Sequence, residues 1–390
     1  MLSVFQVDKA SCLADYVEFV FQDQYLGRNE MWRLSQHLVG QCVYKNQEVS
    51  FIGSIGAKIQ AIYIGKEKVF SSLTLRVLRS TLLQVSSACV TTTTKVIYRS
   101  LSAKVTIFIQ VCQELWEFAG DGERYNEKIV HSFLPALFNK WKEAGTNHTV
   151  TIVLISRVYY DESEIDYAAG PLRRDDQGHW YKDFYKVITD LEVIYEWKPT
   201  LVSLKNSFWD FQRDILLAHH YHRATQEFIN GPAPPVRLVG RLSYAHDGPI
   251  LEALNLALNP SEEHYIDRSL SLTGTMTLVI SPGTGYFRVS KKLLRLTTTR
   301  TLDQGFILNL VLLTKPPLHQ SPIFSFQGVD TGIKPDANGK FGPHTFDPLW
   351  DGDDDFPVNT TNRKTFWWEP FWISTTYWDI HKDLPFRQDR

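Results

Sequence analysis

The sequence predicts an open α/β domain that follows a smaller β-rich module. Two apolar runs, 103–112 (AKVTIFIQVC) and 149–158 (TVTIVLISRV), are typical of buried strands and are separated by an amphipathic helix. A second such unit occupies 275–313, where the strand TMTLVI, a helix over 289–304, a stop at Gly305 and the strand FILNLVLL follow one another. Strands linked through a helix in this way pair in parallel, so at least part of the sheet is predicted to be parallel.

The β-rich module is predicted over residues 1–100. Gln47–Ile64 alternates in polarity and is punctuated by Gly53 and Gly56, a pattern that favours a curved hairpin or barrel strand. Residues 90–99 (VTTTTKVIYR) are rich in β-branched side chains and predict another strand.

The α/β domain is predicted over residues 101–325, and its first helix falls within 124–143. One helical face is marked by side chains that recur every four residues: Tyr125, Ile129, Phe133, Leu137 and Trp141. Pro135 is expected to bend or interrupt this helix, and Gly145 to end it.

Further elements follow in the same domain. The polar stretch 161–183 predicts a surface loop or hairpin, and 184–195 a further strand. Thr200 is expected to cap a helix, 230–235 (NGPAPP) to form a linker, and 249–259 to form a short helix.

The C-terminal part divides into two predicted segments. Residues 326–365 are rich in Gly, Asp and Pro and predict a mobile acidic loop. Residues 366–390 begin with the aromatic run FWWEPFWISTTYW, which is expected to pack back on the α/β domain as a strand.

Composition excludes several classes of protein. A net charge of −2 gives no bulk attraction to nucleic acid. Cys12, Cys42, Cys89 and Cys112 are widely spaced, which argues against a zinc site or a disulfide framework and favours a reducing compartment. The N-terminus has acidic residues within its apolar part, unlike a signal peptide, and no apolar run approaches the roughly 20 residues that span a bilayer.

Polar residues stand where an open α/β sheet normally binds its ligand, at the carboxyl ends of strands. At the end of the first strand these residues are Gln110, Cys112, Gln113 and Glu114, with no glycine-rich phosphate loop and no Asp-x-Ser-x-Ser metal loop. This position therefore indicates a scaffold or binding domain rather than an enzyme.

Other candidate motifs each have a simpler interpretation. Ser281–Tyr286 (SPGTGY) suits an anion site at a helix N-terminus, but a tight βα turn is favoured. The histidines of 219–222 lack partners at metal-ligand spacing. His246 and Asp247 lack a Gly-x-Ser-x-Gly elbow to complete a triad, so Asp247 is expected to be a helix N-cap. The acidic run 351–355 does not follow the pattern of a calcium loop.

Exposed arginine and tryptophan residues are the remaining candidates. The pair Arg173-Arg174 is placed as an arginine finger would be, but a solvated loop pair is favoured. The C-terminal tryptophans are either core residues or anchors for a partner, and core filling is favoured. The candidates for partner binding are Trp367, Trp368 and Trp372.

Several longer stretches resemble one family. They include EMWRLSQHLVGQCVY at 30–44 and FWWEPFWIS at 366–374, and between these they lie at 98–162, 240–259 and 264–324. Together they cover nearly the whole chain and resemble the fungal Iml family of vacuolar membrane-associated proteins. The animal counterpart is the DEP-domain subunit of the GATOR-one complex, and the fungal complex is called SEACIT.

This resemblance implies an N-terminal β domain followed by a SABA domain, which resembles a von Willebrand A-type fold without its metal-dependent adhesion site. It implies a subunit of a complex that stimulates GTP hydrolysis by Rag/Gtr GTPases when amino acids are scarce, which silences TOR complex one and permits autophagy. The expected location is the cytoplasmic face of the vacuolar or lysosomal membrane, held peripherally and without direct membrane insertion.

The resemblance also implies the roles of partners. The catalytic arginine is expected on the Npr-two-like sister subunit, for which this region is a docking platform, and an Npr-three-like subunit completes the complex. No catalytic, cofactor-binding or metal-binding residue is carried over. The alternatives are a metal-dependent A domain that binds ligands through Mg²⁺ and an α/β hydrolase, for which the elbow serine is missing.

Two departures from the family stand out. Residues 71–88 (SSLTLRVLRSTLLQVSSA) do not resemble it, and they are expected to be an insertion or a gene-model error that spoils a hairpin. The chain stops at Arg390, before the GTPase-contacting, DEP and C-terminal domains of the family, so a truncated product is expected.

Overall fold

The structure is a computed structural model that divides into two compact units. One unit contains residues 1–104, 145–149 and 261–275, and the other contains 105–144, 150–260 and 276–390. The residues that the structure describes are 13–21, 28–50, 56–66, 81–100, 102–120, 122–168, 171–194, 196–228, 238–259, 275–314, 323–329, 347–350 and 363–378.

The first unit is β-rich, as the sequence predicts. Its elements are β1 (Tyr16–Phe21), α1 (Arg28–Leu38), β2 (Cys42–Tyr44), β3 (Glu48–Ser50), β4 (Gly56–Lys66), β5 (Thr81–Val85), β6 (Ser87–Cys89) and β7 (Lys95–Ser100). Five of the strands form one sheet in the order β3-β4-β1-β7, with β5 also paired to β4, and β2 pairs with β6. The predicted hairpin within 47–64 is formed by β3 and β4, which pair antiparallel.

The core of this unit lies between the sheet and α1. Val17 and Phe19 of β1 share a face because strand side chains alternate, and both are fully buried. Leu34 and Leu38 of α1 lie four residues apart on one helical face and are buried in the same cluster. Burial of each large apolar side chain contributes roughly 1.5–3 kcal/mol.

Part of the atypical segment 71–88 belongs to this sheet. Residues 81–85 form β5, which pairs antiparallel with β4, and Ser87 and Ala88 lie in β6. The expectation that this segment spoils a hairpin is therefore wrong for residues 81–85, which pair antiparallel with β4. Residues 71–80 lie outside the described part of the chain.

The expectation of no disulfide is also wrong. Cys42 and Cys89 are joined by a disulfide, although 47 positions separate them in sequence. They lie directly opposite each other in the β2–β6 ladder, with their Cα atoms 4.1 Å apart. Cysteine spacing alone could not reveal this pair, because the strand register brings them together.

The second unit begins with β8 (Lys104–Gln110) and contains these further elements: α2 (Tyr125–Glu127), α3 (Leu134–Glu143), β9 (Thr149–Tyr160), β10 (Arg173–Arg174), β11 (Trp180–Val193), α4 (Lys198–Phe228), β12 (Arg241–Leu242), α5 (Ile250–Leu258), β13 (Thr275–Ser281), β14 (Tyr286–Arg288), α6 (Lys291–Asp303), β15 (Leu308–Leu312), β16 (Ile323–Val329), β17 (Arg363–Trp368) and β18 (Ile373–Tyr377).

Eight of these strands form the central sheet of a mixed α/β unit. The order is β10-β11-β9-β8-β13-β15-β18, and β12 pairs with β9. Both β13–β15 and β15–β18 are parallel pairs. When the short β10 and β12 are left out, six strands remain. Numbered by their position along the chain, they lie side by side in the order 3-2-1-4-5-6, as in doubly wound folds. The strand order therefore reverses between β8 and β13.

The central strands are apolar because both of their faces are covered. In β9, every residue from Ile152 to Val158 is buried. Strands of this kind read as continuous apolar runs rather than as alternating patterns, and the sequence predicted them for the same reason.

The first helix of this unit differs from the prediction in its detail. A π-helical stretch, Lys128–Phe133, connects α2 to α3 without a break, and Pro135 lies in the first turn of α3. Proline has no N–H to donate to the preceding turn, and the π-helical geometry changes to α-helical beside it. Gly145 follows the helix with φ of 64°, as expected for the residue that ends it.

Two predicted caps are wrong. The helix expected to start at Thr200 begins at Lys198, so Thr200 lies inside the first turn of α4. Asp247 lies in a short 3₁₀ turn, Ala245–Asp247, and the residue that caps α5 is Pro249.

The aromatic C-terminal run forms two strands rather than one. β17 pairs antiparallel with β16 in a separate three-stranded sheet that also contains β14. β18 instead joins the edge of the central sheet beside β15. The ends of the predicted mobile loop, 326–329 and 363–365, are thus strand residues. Between them only residues 347–350 are described, and the acidic run 351–355 and the linker 230–235 lie outside the described residues.

Candidate functional site at the carboxyl edge of the central sheet

The last residues of β8 and β13 meet at one edge of the sheet. Gln110 ends β8 and Ser281 ends β13, and both are fully buried. Ser281 Oγ donates a hydrogen bond of 2.7 Å to Gln110 Oε1. This is the reversal point of the strand order, where open α/β sheets normally bind their ligands.

The crevice at this point is filled by the protein's own backbone. Gln110 Nε2 donates to Ala245 O at 2.8 Å, so a single amide holds both β13 and the 245–248 turn. At Gly248 an added Cβ would overlap the amide nitrogen of Gln110, so a larger residue there would displace this side chain. An added Cβ at Gly283 would come within 2.8 Å of the Ala245 Cβ.

The neighbouring polar residues predicted for this edge hold the same segment. Gln113 Nε2 donates to Leu242 O at 2.6 Å. Both carboxylate oxygens of Glu114 accept from Ala245 N–H, at 3.0 and 2.9 Å. The structure therefore brings the four predicted residues to one edge, where three of them bind the 242–245 backbone.

Cys112, the fourth of these residues, is buried at the same edge. Burial raises the pKa of its thiol well above the usual value, and the negative charge of Glu114 raises it further. A protonated thiol is a poor nucleophile, so this environment does not activate Cys112.

A buried ion cluster lies beside the edge, and the sequence did not predict it. Arg157 of β9 donates to both carboxylate oxygens of Asp183, at 2.6 and 3.0 Å, and to Glu252 Oε1 at 2.7 Å. Its guanidinium carbon also lies 4.1 Å from the centroid of the Tyr181 ring. A charged residue inside the apolar run TVTIVLISRV is the one sequence signal of this cluster, because buried charges need partners.

The cluster determines the ionisation of its members. Burial by itself would lower the pKa of Arg157, but Glu252 and Asp183 raise it well above the usual value, so the guanidinium stays charged. Burial raises the pKa of Glu252, and the charge of Asp183 raises it further against the opposing effect of Arg157.

A pocket of about 150 Å³ lies over this cluster. Arg157 and Glu252 contribute to its lining, together with Asp247 and Arg288. Asp247 binds Arg288 at 3.1 Å and lies 3.2 Å from His246 Nε2. The charges that line this part of the pocket therefore pair with one another.

A row of four aromatic rings crosses the same region. Tyr244 stacks on His246 with ring centroids 5.6 Å apart, His246 on Tyr286 at 5.7 Å, and Tyr286 lies 5.4 Å from Trp367. The two ends of the row are open, since Tyr244 is 50% and Trp367 62% exposed.

The structure separates the three predicted partner-binding tryptophans. Trp367 is exposed, Trp368 is half-buried, and Trp372 is buried with its Nε1 3.3 Å from Thr298 Oγ1. The packing of Trp372 against Phe324 makes it a core residue, so direct contact with a partner would require the domain to rearrange.

The remaining sequence candidates do not assemble into a site. Ser281–Tyr286 leads into β14 rather than into a helix, so the predicted βα turn and its helix N-terminal anion site are both wrong. Arg173 and Arg174 are exposed, as expected, but they form β10 instead of a loop. Residues 219–222 lie within α4.

The described residues contain neither a metal-binding cluster nor a membrane-spanning helix. No group of three or more His, Cys, Asp or Glu side chains is placed there to hold a metal ion. None of the helices in that part of the chain is both long and apolar enough to cross a bilayer.

The strand order and the small β-rich unit define an open α/β protein with an accessory β domain. Residues 102–326 match the family described as vacuolar membrane-associated protein Iml1, vWA-like domain, and residues 17–100 match the IML1 small domain. The chain therefore belongs to the Iml1 family, which confirms the resemblance found in the sequence.

Full-length relatives support this assignment. The chain is 35% identical over 332 residues to the GATOR complex protein Iml1 of Drosophila melanogaster, covering 84% of this chain and 20% of that protein. It is 33% identical over 339 residues to the vacuolar membrane-associated protein iml1 of Schizosaccharomyces pombe, covering 82% and 21%. A DEP domain-containing protein of Dictyostelium discoideum is 36% identical over 320 residues, covering 82% and 13%. The chain thus spans at most about a fifth of the length of these relatives.

Proposed function

We propose that this chain is a non-catalytic scaffold within a GTPase-activating complex of the GATOR-one or SEACIT type. A relative that is 35% identical carries the name of a GATOR complex protein, and others are named for the vacuolar membrane. The observation that carries the proposal is the filled crevice between β8 and β13, where Gln110 and Gly248 occupy the usual ligand position.

A closed edge suits a scaffold better than an enzyme. In an open α/β enzyme, the carboxyl ends of the strands must leave room for substrate or metal. Here Gln110, Gln113 and Glu114 are committed to holding the 242–245 backbone. The filled edge also supports a proposed absence of a metal-dependent adhesion site, and the catalytic arginine of the complex is proposed to lie on another subunit.

The partners in this proposal are those of the family. The chain docks the Npr-two-like subunit beside the Npr-three-like subunit, and the full complex acts on Rag/Gtr GTPases. It would thereby restrain TOR complex one during amino-acid starvation and promote autophagy, from a peripheral position on the cytoplasmic face of the vacuolar membrane. Trp367 is the proposed anchor, because large exposed aromatic residues frequently dominate the energetics of interfaces.

The primary test is a pull-down of this chain with the Npr-type subunits, followed by Rag/Gtr GTP hydrolysis assays with and without it. Binding without stimulation by this chain alone is the expected result. Stimulation by this chain alone would overturn the non-catalytic proposal, and failure to bind would overturn the docking proposal.

A matched pair of variants tests the tryptophan anchor. Trp367→Ala is expected to weaken docking by at least about tenfold, as for an interface hot spot. Trp32→Ala is the control, because Trp32 is 63% exposed and Trp367 is 62% exposed, but Trp32 lies in the first unit. An equal loss of binding in both variants would argue against a specific role for Trp367.

Calorimetry with Mg²⁺ distinguishes the scaffold from a metal-dependent A domain. The scaffold proposal expects no heat of binding beyond dilution. Saturable Mg²⁺ binding that Gln110→Ala abolishes would instead favour a metal site at this edge.

A further inference from the structure

Within the described part of the chain, the outer edge of β11 has no paired strand along most of its length. β11 has 14 residues and lies between β9 and β10 in the sheet. β10 has only two residues, which pair with Trp180 and Tyr181. Beyond Tyr181, no strand among the described residues pairs with this edge. A long open edge offers its N–H and C=O groups to an added strand.

The hairpin identifies which residues present these groups. Asp175 N–H donates to His179 O at 3.0 Å, and Arg173 lies opposite Tyr181. Ladder hydrogen bonds alternate along an antiparallel strand, so odd-numbered residues of β11 direct their backbone groups toward the open edge. In the middle of the strand these residues are Asp183, Tyr185 and Val187.

One face of this edge is cationic. Arg174 lies opposite Trp180, with its guanidinium 4.1 Å from that ring. Lys182 and Lys186 follow on the same face, because every second residue of a strand shares a face. Phe184 lies between these two lysines on this face and Ile188 follows Lys186, so β11 itself contributes no acidic residue to this face from Trp180 to Ile188.

The other face offers apolar contact. Val187 is 56% exposed, and Tyr185 is exposed on the same face. A strand laid along this edge would meet cations on one face and an apolar surface on the other. Its own side chains would therefore alternate between acidic and apolar residues.

We propose that β11 is a docking edge for an extended acidic segment of a partner protein, which adds to the sheet in line with β10. Backbone hydrogen bonds to the odd-numbered residues give affinity, and carboxylates facing Lys182 and Lys186 give specificity, as in other cases of strand addition. This deepens the proposed scaffold function and rests on it, because it names a surface through which such a scaffold binds.

A second copy of this chain fits the edge less well. Antiparallel pairing of two β11 strands centred on Phe184 would place Lys182 of each copy opposite Lys186 of the other. Like charges directly opposite each other destabilise a strand pair, and lysines on edge strands discourage self-pairing. An acidic partner removes this repulsion.

The test uses the whole chain and a short capped peptide of alternating Glu and Val with a fluorescent label. Anisotropy titrations are run at low and high salt, beside a charge-reversed peptide of Lys and Val. The Glu-Val peptide is expected to bind and to weaken with salt, whereas the Lys-Val peptide does not bind. Failure of the Glu-Val peptide to bind, or equal binding of both peptides, would overturn the proposal.

Two variants test the backbone pairing and the charge recognition at this edge separately. Val187→Pro removes an outward-pointing N–H that takes part in no ladder within the described residues, so it should abolish binding while the fold is kept. The double variant Lys182→Glu, Lys186→Glu should weaken the Glu-Val peptide by at least about tenfold and allow the Lys-Val peptide to bind. Lys140→Glu, Lys142→Glu on α3 is the control with the same change in net charge, and it should leave binding unchanged.

The outcomes separate this proposal from the scaffold function. The peptide assay contains no Npr-type subunit, so its failure leaves the pull-down result standing. Unchanged peptide affinity in Lys182→Glu, Lys186→Glu would overturn the edge site even if the subunits dock. Concentration-dependent dimerisation of the chain that Val187→Pro abolishes would show that a second copy occupies the edge instead.

Discussion

Gly248→Ala tests whether the sheet edge is held closed by Gln110. Gly248 has φ of −71° and ψ of 161°, a conformation open to alanine, so the cost of the substitution is steric rather than conformational. The new Cβ would overlap Gln110 Nε2. The Gln110 side chain is fully buried and bonded at both ends of its amide, so moving it breaks both hydrogen bonds.

The magnitude follows from the bonds that must break. Displacing Gln110 breaks its bonds to Ala245 O and Ser281 Oγ, so the buried Nε2 and Oε1 groups of its amide lose these partners, and each buried group left unsatisfied costs roughly 1–3 kcal/mol. Alanine recovers about 0.4–1 kcal/mol by restricting the unfolded chain. The net destabilisation of the second unit is therefore about 3 kcal/mol.

Equilibrium urea unfolding followed by tryptophan fluorescence measures this loss in the transition of the second unit. A double-mutant cycle with Gln110→Ala isolates the overlap, because Gly248→Ala should cost less than about 0.5 kcal/mol once the longer side chain is gone. Additive effects of the two substitutions would refute the reasoning, as would a single Gly248→Ala variant as stable as the wild type.

Three further predictions address other parts of the chain. Arg157→Met should destabilise the second unit by about 3–5 kcal/mol in urea unfolding, because it leaves Asp183 and Glu252 as buried carboxylates without their cation. The control is Arg213→Met, which removes an exposed ion pair and should leave the urea midpoint of unfolding unchanged. Because the pKa of Glu252 is raised in the folded state, its contribution to the free energy of unfolding is complete below the unfolded-state pKa and is lost as pH rises through the folded-state pKa. Glu252→Gln should remove this loss of stability with rising pH. Equal profiles of unfolding free energy against pH for the two proteins would contradict the assignment. Reduction of the Cys42–Cys89 disulfide, which closes a loop over a separation of 47 residues, should lower the stability of the first unit by up to about 4 kcal/mol and leave the second unit unchanged in parallel unfolding experiments with and without dithiothreitol.

The sequence predicted the elements whose signals are local. β8, β9, β13 and β15 are continuous apolar runs because both of their faces are buried, and Gly305 ends α6 with φ of 55°. Residues 366–378 also carry a strong strand signal, but the signal does not tell to which sheet a strand belongs. The signal also does not reveal the break at Glu369-Pro370, after which β18 joins a different sheet from β17.

The candidate site was only half predictable for the same reason. The polar residues after β8 were visible because they follow a buried strand. Their partners were not visible, since Gln110 meets Ala245 and Ser281 across separations of 135 and 171 residues. Arg157 likewise meets Glu252 across 95 positions, and Cys42 meets Cys89 through the strand register. Contacts of this kind depend on topology, which local periodicity does not encode.

Closing the sheet edge and displaying an aromatic surface are one structural event in this chain. The segment that fills the crevice is held through the backbone of Ala245, whose carbonyl accepts from Gln110 and whose N–H donates to Glu114. Because strong hydrogen bonds fix this backbone, its side chains Tyr244 and His246 are directed outward and stack in line with Tyr286. Loosening the closure at Gly248 should therefore disturb the exposed ring row as well as stability. A Gly248→Ala variant that loses stability but docks the Npr-type subunits with unchanged affinity would show that closure of the edge and docking are independent. The docking surface would then lie away from this edge, toward β11.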